Sequence, residues 1–210
     1  MYGIDDAGNE KVLHVLGPKT VMPFSFFSGD SMPTRWYYET LTDCEVHVLS
    51  RQDLERLLFS NGDAGRFLVH RFSQEVHEIL VRLDSLGKSE IPHKLRAALT
   101  YLVVCHGEQL RRLWWRIPFP ANHQFLADLI GVTRENAAIA VKQLADCGVI
   151  RYPKVAQLEI HYTKLQKLAS STNESFDGKP MDWMRPASTQ FGGTSRWQVD
   201  TDSGASSAAG

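Results

Sequence analysis

The sequence predicts an α+β protein: an antiparallel β domain, one long helix, and a helix-turn-helix followed by a short β-hairpin. Three observations predict it. Short apolar and aromatic runs broken by Gly, Pro and Asp fill residues 11–49, which is the pattern of antiparallel strands. From Asp53 to Leu86 the apolar residues fall instead at alternating intervals of four and three, a helical period. Asn122–Gly148, NHQFLADLIGVTRENAAIAVKQLADCG, has the form of two short helices joined by a tight Gly turn.

Taken in order, the β runs are VLHVL, FSFF, WYYETL and CEVHVL, all within Lys11–Leu49. The helical segment then places Gly65, Val69, Phe72, Val76, Ile79, Leu83 and Leu86 on one stripe, the spacing of a coiled-coil seam between two copies. The plainer use of such a stripe is to lie on the helix's own β domain. Phe67, Leu68 and Leu80, off the stripe, are expected to do that, so both uses fit one helix. Gly87-Lys88-Ser89 breaks the pattern and is expected to act as a hinge. Pro92 opens the next helix, LRAALTYLVVCH follows, and Gly107 closes it.

In the helix-turn-helix, Asn122 caps the first helix and Thr133 the second. Ala127 and Gly131 leave room for close contact, and Leu126, Leu129, Ile130 and Val132 form an apolar wedge. Ala137, Val141 and Leu144 recur at helical spacing and pack inward, which turns Arg134, Glu135, Asn136, Ala138, Ile139 and Lys142 outward. Arg and Glu at the exposed N-terminal end of a second helix are base-reading residue types. A helical hairpin with solvated charges is the plainer alternative, but cap, small residues, core spacing and readers agree on duplex DNA. Gly148 is placed as a left-handed helix terminator, and VIRY with QLEIHY as the wing hairpin. Asn122 and His123 at the entry of the first helix, and Lys154 in the wing, complete the expected DNA contacts.

Charge supports this division. Residues 1–90 carry 9 Lys+Arg against 14 Asp+Glu, a net −5, whereas residues 91–169 carry 11 against 5, a net +6. Residues 170–210 hold 3 against 5. The basic charge therefore sits with the helix-turn-helix, as attraction to phosphate requires. From Ser170 on, Ser, Thr, Gly and Asp dominate, and the segment is expected to be disordered. Cys44, Cys105 and Cys147 are odd in number and widely spaced, which suggests neither a disulfide framework nor a metal cluster and fits a reducing cytoplasm. No apolar run is long enough to cross a membrane. No nucleophile–base–orienter set, phosphate loop or metal-ligand spacing is evident, so no enzyme is read here.

The order of β domain, long helix, hinge and winged helix-turn-helix resembles the Crp/Fnr family of bacterial transcription regulators over residues 1 to about 169. KVLHVLGP is similar to the strand leading into that family's ligand pocket, LTDCEVHVLSRQDLERLL to its last strand and following helix, and LADLIGVTRENAAIAVKQLADCGVIRY to its DNA reader. The resemblance implies a partial antiparallel β-roll of the cyclic-nucleotide-binding type over 1–62, a dimerisation helix over 63–87, a winged helix-turn-helix over 88–169 and a tail over 170–210. It implies a homodimer with a seam of Val69, Phe72, Val76, Ile79, Leu83 and Leu86, double-stranded DNA as partner, and RNA polymerase as a further one. A helix and several strands of the family precede the segment that Met1–Pro18 resembles. The expectation is that the true start lies upstream of Met1; the alternative is a β-roll with exposed edges.

The departures are as useful as the matches. The family's recognition helix begins R-E-T-V-S-R; here Arg134 and Glu135 carry over, implying guanine or phosphate and cytosine N4 as their partners. The last Arg is replaced by Ile139, which can touch a thymine methyl but cannot form a bidentate guanine contact. The wing lacks the usual Gly. The phosphate cassette F-G-E-L-A-L with P-R-x-A is replaced by PFSFFSGDSMPTRWYYETLTDC, in which no Gly-Glu pair precedes Pro33, Thr34 takes the Arg position, and Arg35 comes one place late. A one-residue slip in a strand reverses the face, so cyclic AMP is not expected as a ligand, no cofactor is predicted, and the effector is unknown. Phe24, Phe26, Phe27, Trp36, Tyr37 and Tyr38 are read as core rather than an aromatic pocket. An iron–sulfur sensor lacks clustered cysteines. Haem has candidate ligands in His47, His70 and His77, but a lone helical His is more often solvated or packed.

Overall fold

The computed structural model describes residues 1–22, 36–111 and 113–170. The segments expected to hold Phe24, Phe26, Phe27, Pro33, Thr34 and Arg35, and the tail from residue 171, lie outside the described residues. At the N-terminus β1 (Tyr2–Ile4) and β2 (Glu10–Val12) form a hairpin, and β3 (Trp36–Tyr37) pairs antiparallel on the other side of β1. The Asp5 side chain accepts from the N–H groups of Ala7 and Asn9 at 3.0 and 2.8 Å, and Gly8 supplies the left-handed residue at φ +83°.

Two expectations fail in this region. Cys44–Leu49 forms no strand, and Val46 and Val48 stand 75% and 90% exposed. Its alternation suits a strand, but a strand exists only when a neighbour satisfies its backbone, and none does so among the described residues. Trp36, Tyr37 and Tyr38 are exposed rather than core, and Tyr37 stacks on Tyr2 with ring centroids 5.4 Å apart. Among the described residues, no opposing layer covers the small sheet that holds Trp36 and Tyr37.

The helical segment divides into α1 (Arg51–Ser60) and α2 (Gly62–Leu86). Asn61 adopts an extended conformation, and its side chain accepts from Asp63 and Ala64 N–H at 3.0 and 3.3 Å, ending one helix and starting the other. The 25 residues of α2 span about 37 Å. The expected seam splits into two rows: Val69, Val76 and Leu83 point outward, 67%, 56% and 56% exposed, while Phe72, Ile79 and Leu86 are half-buried. Of the three apolar residues expected to pack on the β domain, only Leu68 is buried; Phe67 and Leu80 are exposed. The rest of α2's inward face is polar, with Glu75, Arg82 and Ser85 each buried.

After Gly87, α3 (Ile91–His106) starts with Pro92 in its first turn and ends at Gly107, as expected. It is the central helix of the C-terminal domain: Leu95, Ala98, Leu99, Tyr101 and Leu102 have no exposed surface. Around it lie α4 (His123–Ile130), α5 (Arg134–Asp146) and α6 (Tyr162–Ser170), and an antiparallel sheet of β4 (Glu108–Arg111), β5 (Trp114–Arg116), β6 (Ile150–Lys154) and β7 (Gln157–His161) in the order β4-β5-β7-β6. The wing is β6 (Ile150–Lys154) with β7 (Gln157–His161). The hairpin of β4 (Glu108–Arg111) and β5 (Trp114–Arg116), and the helix α6, go beyond the sequence expectation. Strands of three or four residues and a nine-residue helix are too short for periodicity to mark. One apolar core joins α3, α4, α5, the sheet and α6, and it includes Val15 from the N-terminal segment.

Candidate DNA-binding surface and the junction behind it

The helix-turn-helix is built by local rules. The side-chain oxygen of Asn122 accepts from Phe125 N–H at 2.8 Å, and Thr133 Oγ1 from Asn136 N–H at 3.4 Å, so both caps form. Gly131 takes φ +67°, and Lys11 Cε lies 3.3 Å from where its Cβ would stand, so both conformation and space favour glycine. Gly148, at φ +64°, closes α5 with N–H donation to the Ala145 carbonyl at 2.8 Å, and Val149 N–H returns to Leu144 at 2.9 Å. Ala137 and Val141 are buried and Leu144 half-buried against the core.

That packing leaves Thr133, Arg134, Glu135, Asn136 and Lys142 exposed, Ala138 half-buried and Ile139 59% exposed. Asn122 is exposed beside the entry to α4, while His123 is half-buried with its ring edge on Tyr152 at 5.9 Å. Lys154 is exposed near the wing tip beside Val155, which is 99% exposed. At the turn between the wing strands Ala156 adopts φ +56°, at a cost of about 1 kcal/mol relative to glycine. Not every cation nearby is available to a ligand. Arg151 stacks over Trp114 at 4.0 Å and pairs with Glu159 at 2.6 Å, and Arg116 pairs with Glu108 at 2.8 Å.

Behind this surface is a polar junction that the sequence reading does not contain. Arg82 of α2, 2% exposed, donates to the carbonyls of Val12 and Leu13 at 2.8 and 3.2 Å, to Ser85 at 2.8 Å, and to the Leu129 carbonyl in α4. One side chain thus ties the N-terminal segment, α2 and the helix-turn-helix together. Burial lowers the Arg82 pKa to about 10, which leaves it charged at neutral pH. A turn or two away, His14 Nε2 lies 3.0 Å from Glu75 Oε2 and 3.6 Å from Glu78 Oε2. Glu75 Oε1 also accepts from Thr20 at 2.7 Å and from Arg71. Tyr101 of α3 closes the group: its hydroxyl lies 3.0 Å from His14 Nδ1 and 3.3 Å from His106 Nε2, and accepts from Val15 N–H at 3.0 Å.

The two carboxylates differ. Burial works to raise the Glu75 pKa, but hydrogen bonds from His14 and Thr20 and the Arg71 charge outweigh it and hold the group below its ordinary value. Burial, with repulsion from Glu75 second, pushes Glu78 up to about 7. Burial first, and the neighbouring His14 second, depress His106 to about 3, so its ring is neutral at physiological pH. Burial raises the Tyr101 and Cys105 pKa values, keeping both protonated. In the sequence, Arg71, Glu75, Glu78, Arg82 and Ser85 recur at three- and four-residue intervals on one face of α2. That stripe is the available signal; charged stripes are ordinarily solvated, so by itself it does not mark a junction.

Comparison with known proteins agrees with the C-terminal geometry. Residues 93–170 match the Crp-like helix-turn-helix domain family. Over 182 residues, 83% of this chain and 81% of the relative, the sequence is 26% identical to the transcriptional regulator SdrP of Thermus thermophilus. Over 113 residues it is 26% identical to a probable transcriptional activator of Rhizobium leguminosarum bv. viciae, and there the match spans 54% of this chain and 47% of the relative. The fold is similar to that of a solved CRP/FNR-family transcriptional regulator, also from Thermus thermophilus, with a TM-score of 0.60 at 22% identity, covering 80% of this chain and 81% of that one.

Proposed function

We propose that this protein, whose residues 93–170 match the Crp-like helix-turn-helix domain family, is a DNA-binding transcription regulator of the Crp/Fnr type that reads a two-fold operator as a dimer and couples a signal in its N-terminal region to that reading. The observation carrying the proposal is the N-terminal end of α5, where Arg134, Glu135 and Asn136 are exposed on a helix whose opposite face completes the core. Glu135 would accept from cytosine N4, Arg134 would donate to guanine or phosphate, and Ile139 would meet a thymine methyl. Asn122, Lys142 and Lys154 would hold phosphates and set register. The outward row Val69, Val76 and Leu83 would meet its own copy across a two-fold axis. A signal that repacks the inner face of α2 would then change the spacing of the two recognition helices.

A second reading is favoured by one residue: with Ile139 at the position where the family carries its last Arg, the dimer would be a sensor or scaffold without sequence preference. Selection from random DNA with the full-length protein separates the two. A two-fold motif is expected, and Glu135→Ala should relax one position per half-site by about 1–3 kcal/mol of discrimination. Lys142→Ala should weaken all sequences alike. Enrichment of no motif, with binding that vanishes as salt rises, would support the scaffold. Val76→Glu should dissociate the dimer in sedimentation and lower operator affinity with it.

A further inference from the structure

We infer that His14, Glu75 and Glu78 form a binding site for one divalent first-row transition-metal cation, set where the N-terminal segment meets α2. One donor atom from each residue lies within 4.8 Å of the other two. Donors about 2.1 Å from a shared ion stand about 3.0–4.2 Å apart, and His14 Nε2 is 3.0 and 3.6 Å from the two carboxylate oxygens. Glu75 and Glu78 are three residues apart on one helix, so their carboxylates converge on the same side.

The hydrogen bonding is what points to a cation rather than a proton. A proton on His14 Nε2 can be directed at only one acceptor. It serves Glu75 at 3.0 Å and leaves Glu78 Oε2, which has no solvent-exposed surface, with no hydrogen-bond partner. An unpaired buried carboxylate oxygen is costly. A metal ion bonds to all three donors at once.

The surroundings complete the arrangement. A neutral His106 ring would accept the Tyr101 hydroxyl proton at 3.3 Å, leaving the Tyr101 oxygen, which already accepts from Val15 N–H, to accept from His14 Nδ1–H at 3.0 Å. With its proton on Nδ1, His14 presents the Nε2 lone pair to the ion. A ligating histidine whose other nitrogen is anchored in this way is the usual outer arrangement of a metal site. Thr20 and Arg71 orient Glu75 through its other oxygen. Glu78 and Arg71, 16% and 12% exposed, mark the side from which an ion enters. One imidazole and two carboxylates suit manganese, iron, cobalt or zinc; magnesium and calcium, which take oxygen ligands, do not fit the histidine. Binding releases the Nε2 proton to solvent where one is present.

As a signal input the site rests on the regulator reading above, but the binding itself is measured without DNA, so either can fail alone. Full-length protein freed of metal by chelation is titrated with Co2+ and followed by visible absorption and thermal melting. One equivalent per chain is expected, with d–d bands but no thiolate charge-transfer band, and with a rise in Tm that excess Mg2+ does not reproduce. Glu78→Gln should weaken Co2+ binding by about tenfold or more while leaving the metal-free Tm unchanged or higher, because it removes an unpaired buried carboxylate. His14→Gln should do the same to binding. The inference is overturned if wild type takes up no stoichiometric Co2+. It is overturned equally if Glu78→Gln binds as well as wild type, or if binding is lost on replacing the exposed Cys44 and Cys147 with Ser.

Discussion

Helices α2 and α5 make an instructive pair, since both are amphipathic and both lie across α3, yet they are held by opposite means. The inner face of α5 is small and apolar, with Ala137, Ala140 and Val141 buried. The inner face of α2 carries Glu75, Arg82 and Ser85, each no more than 3% exposed, beside the buried Leu68 and the half-buried Phe72, Ile79 and Leu86, while Val69, Val76 and Leu83 face outward. Apolar packing is non-directional and depends on shape and area. Polar packing works only if each donor finds its acceptor, and it fails when one partner is lost. The contact of α5 with the core is thus a matter of shape and area. The contact of α2 with the N-terminal segment is a set of specific bonds, the kind of joint a signal can switch.

Removing Arg82 is the strongest way to break that contrast. Arg82→Met keeps much of the stem but leaves the carbonyls of Val12, Leu13 and Leu129 unpaired, at an expected cost of about 3–5 kcal/mol in denaturant unfolding. A variant as stable as wild type would show that α2 is held by its apolar contacts after all. On the other side of the comparison, Leu126→Ala at a fully buried position in the first helix of the helix-turn-helix should cost about 3 kcal/mol through cavity formation. This loss should be independent of pH.

The junction should depend on pH where the reader does not. His106 has its folded pKa depressed to about 3, against 6.5 for the free side chain. Below pH 6.5 the unfolded chain takes up a proton that the folded one does not, so stability is intact above that pH and falls as pH drops toward 3. Between pH 7 and 5 the His106 contribution to this loss should be about 1–2 kcal/mol, since His106 is not completely sealed from solvent; Glu78, raised to about 7, takes up a proton in the folded state over the same window and opposes it by a similar amount. The His106 share is read as the difference between the two proteins: His106→Gln should gain stability relative to wild type as pH falls from 7 to 5, and a constant difference would place the titrating group elsewhere. The smallest expected effect sharpens the local end of the comparison. Asn122→Ala removes the cap of α4 and should cost about 1 kcal/mol, with no change in the pH profile.

Features that depend on near neighbours along the chain are legible without the fold. The caps at Asn122 and Thr133 act over three residues, Gly131 and Gly148 fix single left-handed positions, and the burial of Ala137 and Val141 follows from helical period. The exposed position of Arg134, Glu135 and Lys142 follows from the same period, so the face proposed to meet DNA was legible. The remaining features depend on contacts between distant parts of the chain. His14 meets Glu75 across 61 residues, Arg82 meets Val12 across 70, and Tyr101 meets His14 across 87. A charged residue at an inward helical position is indistinguishable in sequence from a solvated one until its partner arrives from elsewhere. Trp36–Tyr38 and Cys44–Leu49 failed for the converse reason: apolar alternation states only that a strand would be favourable against a facing layer and a paired neighbour, and both are properties of the assembled fold.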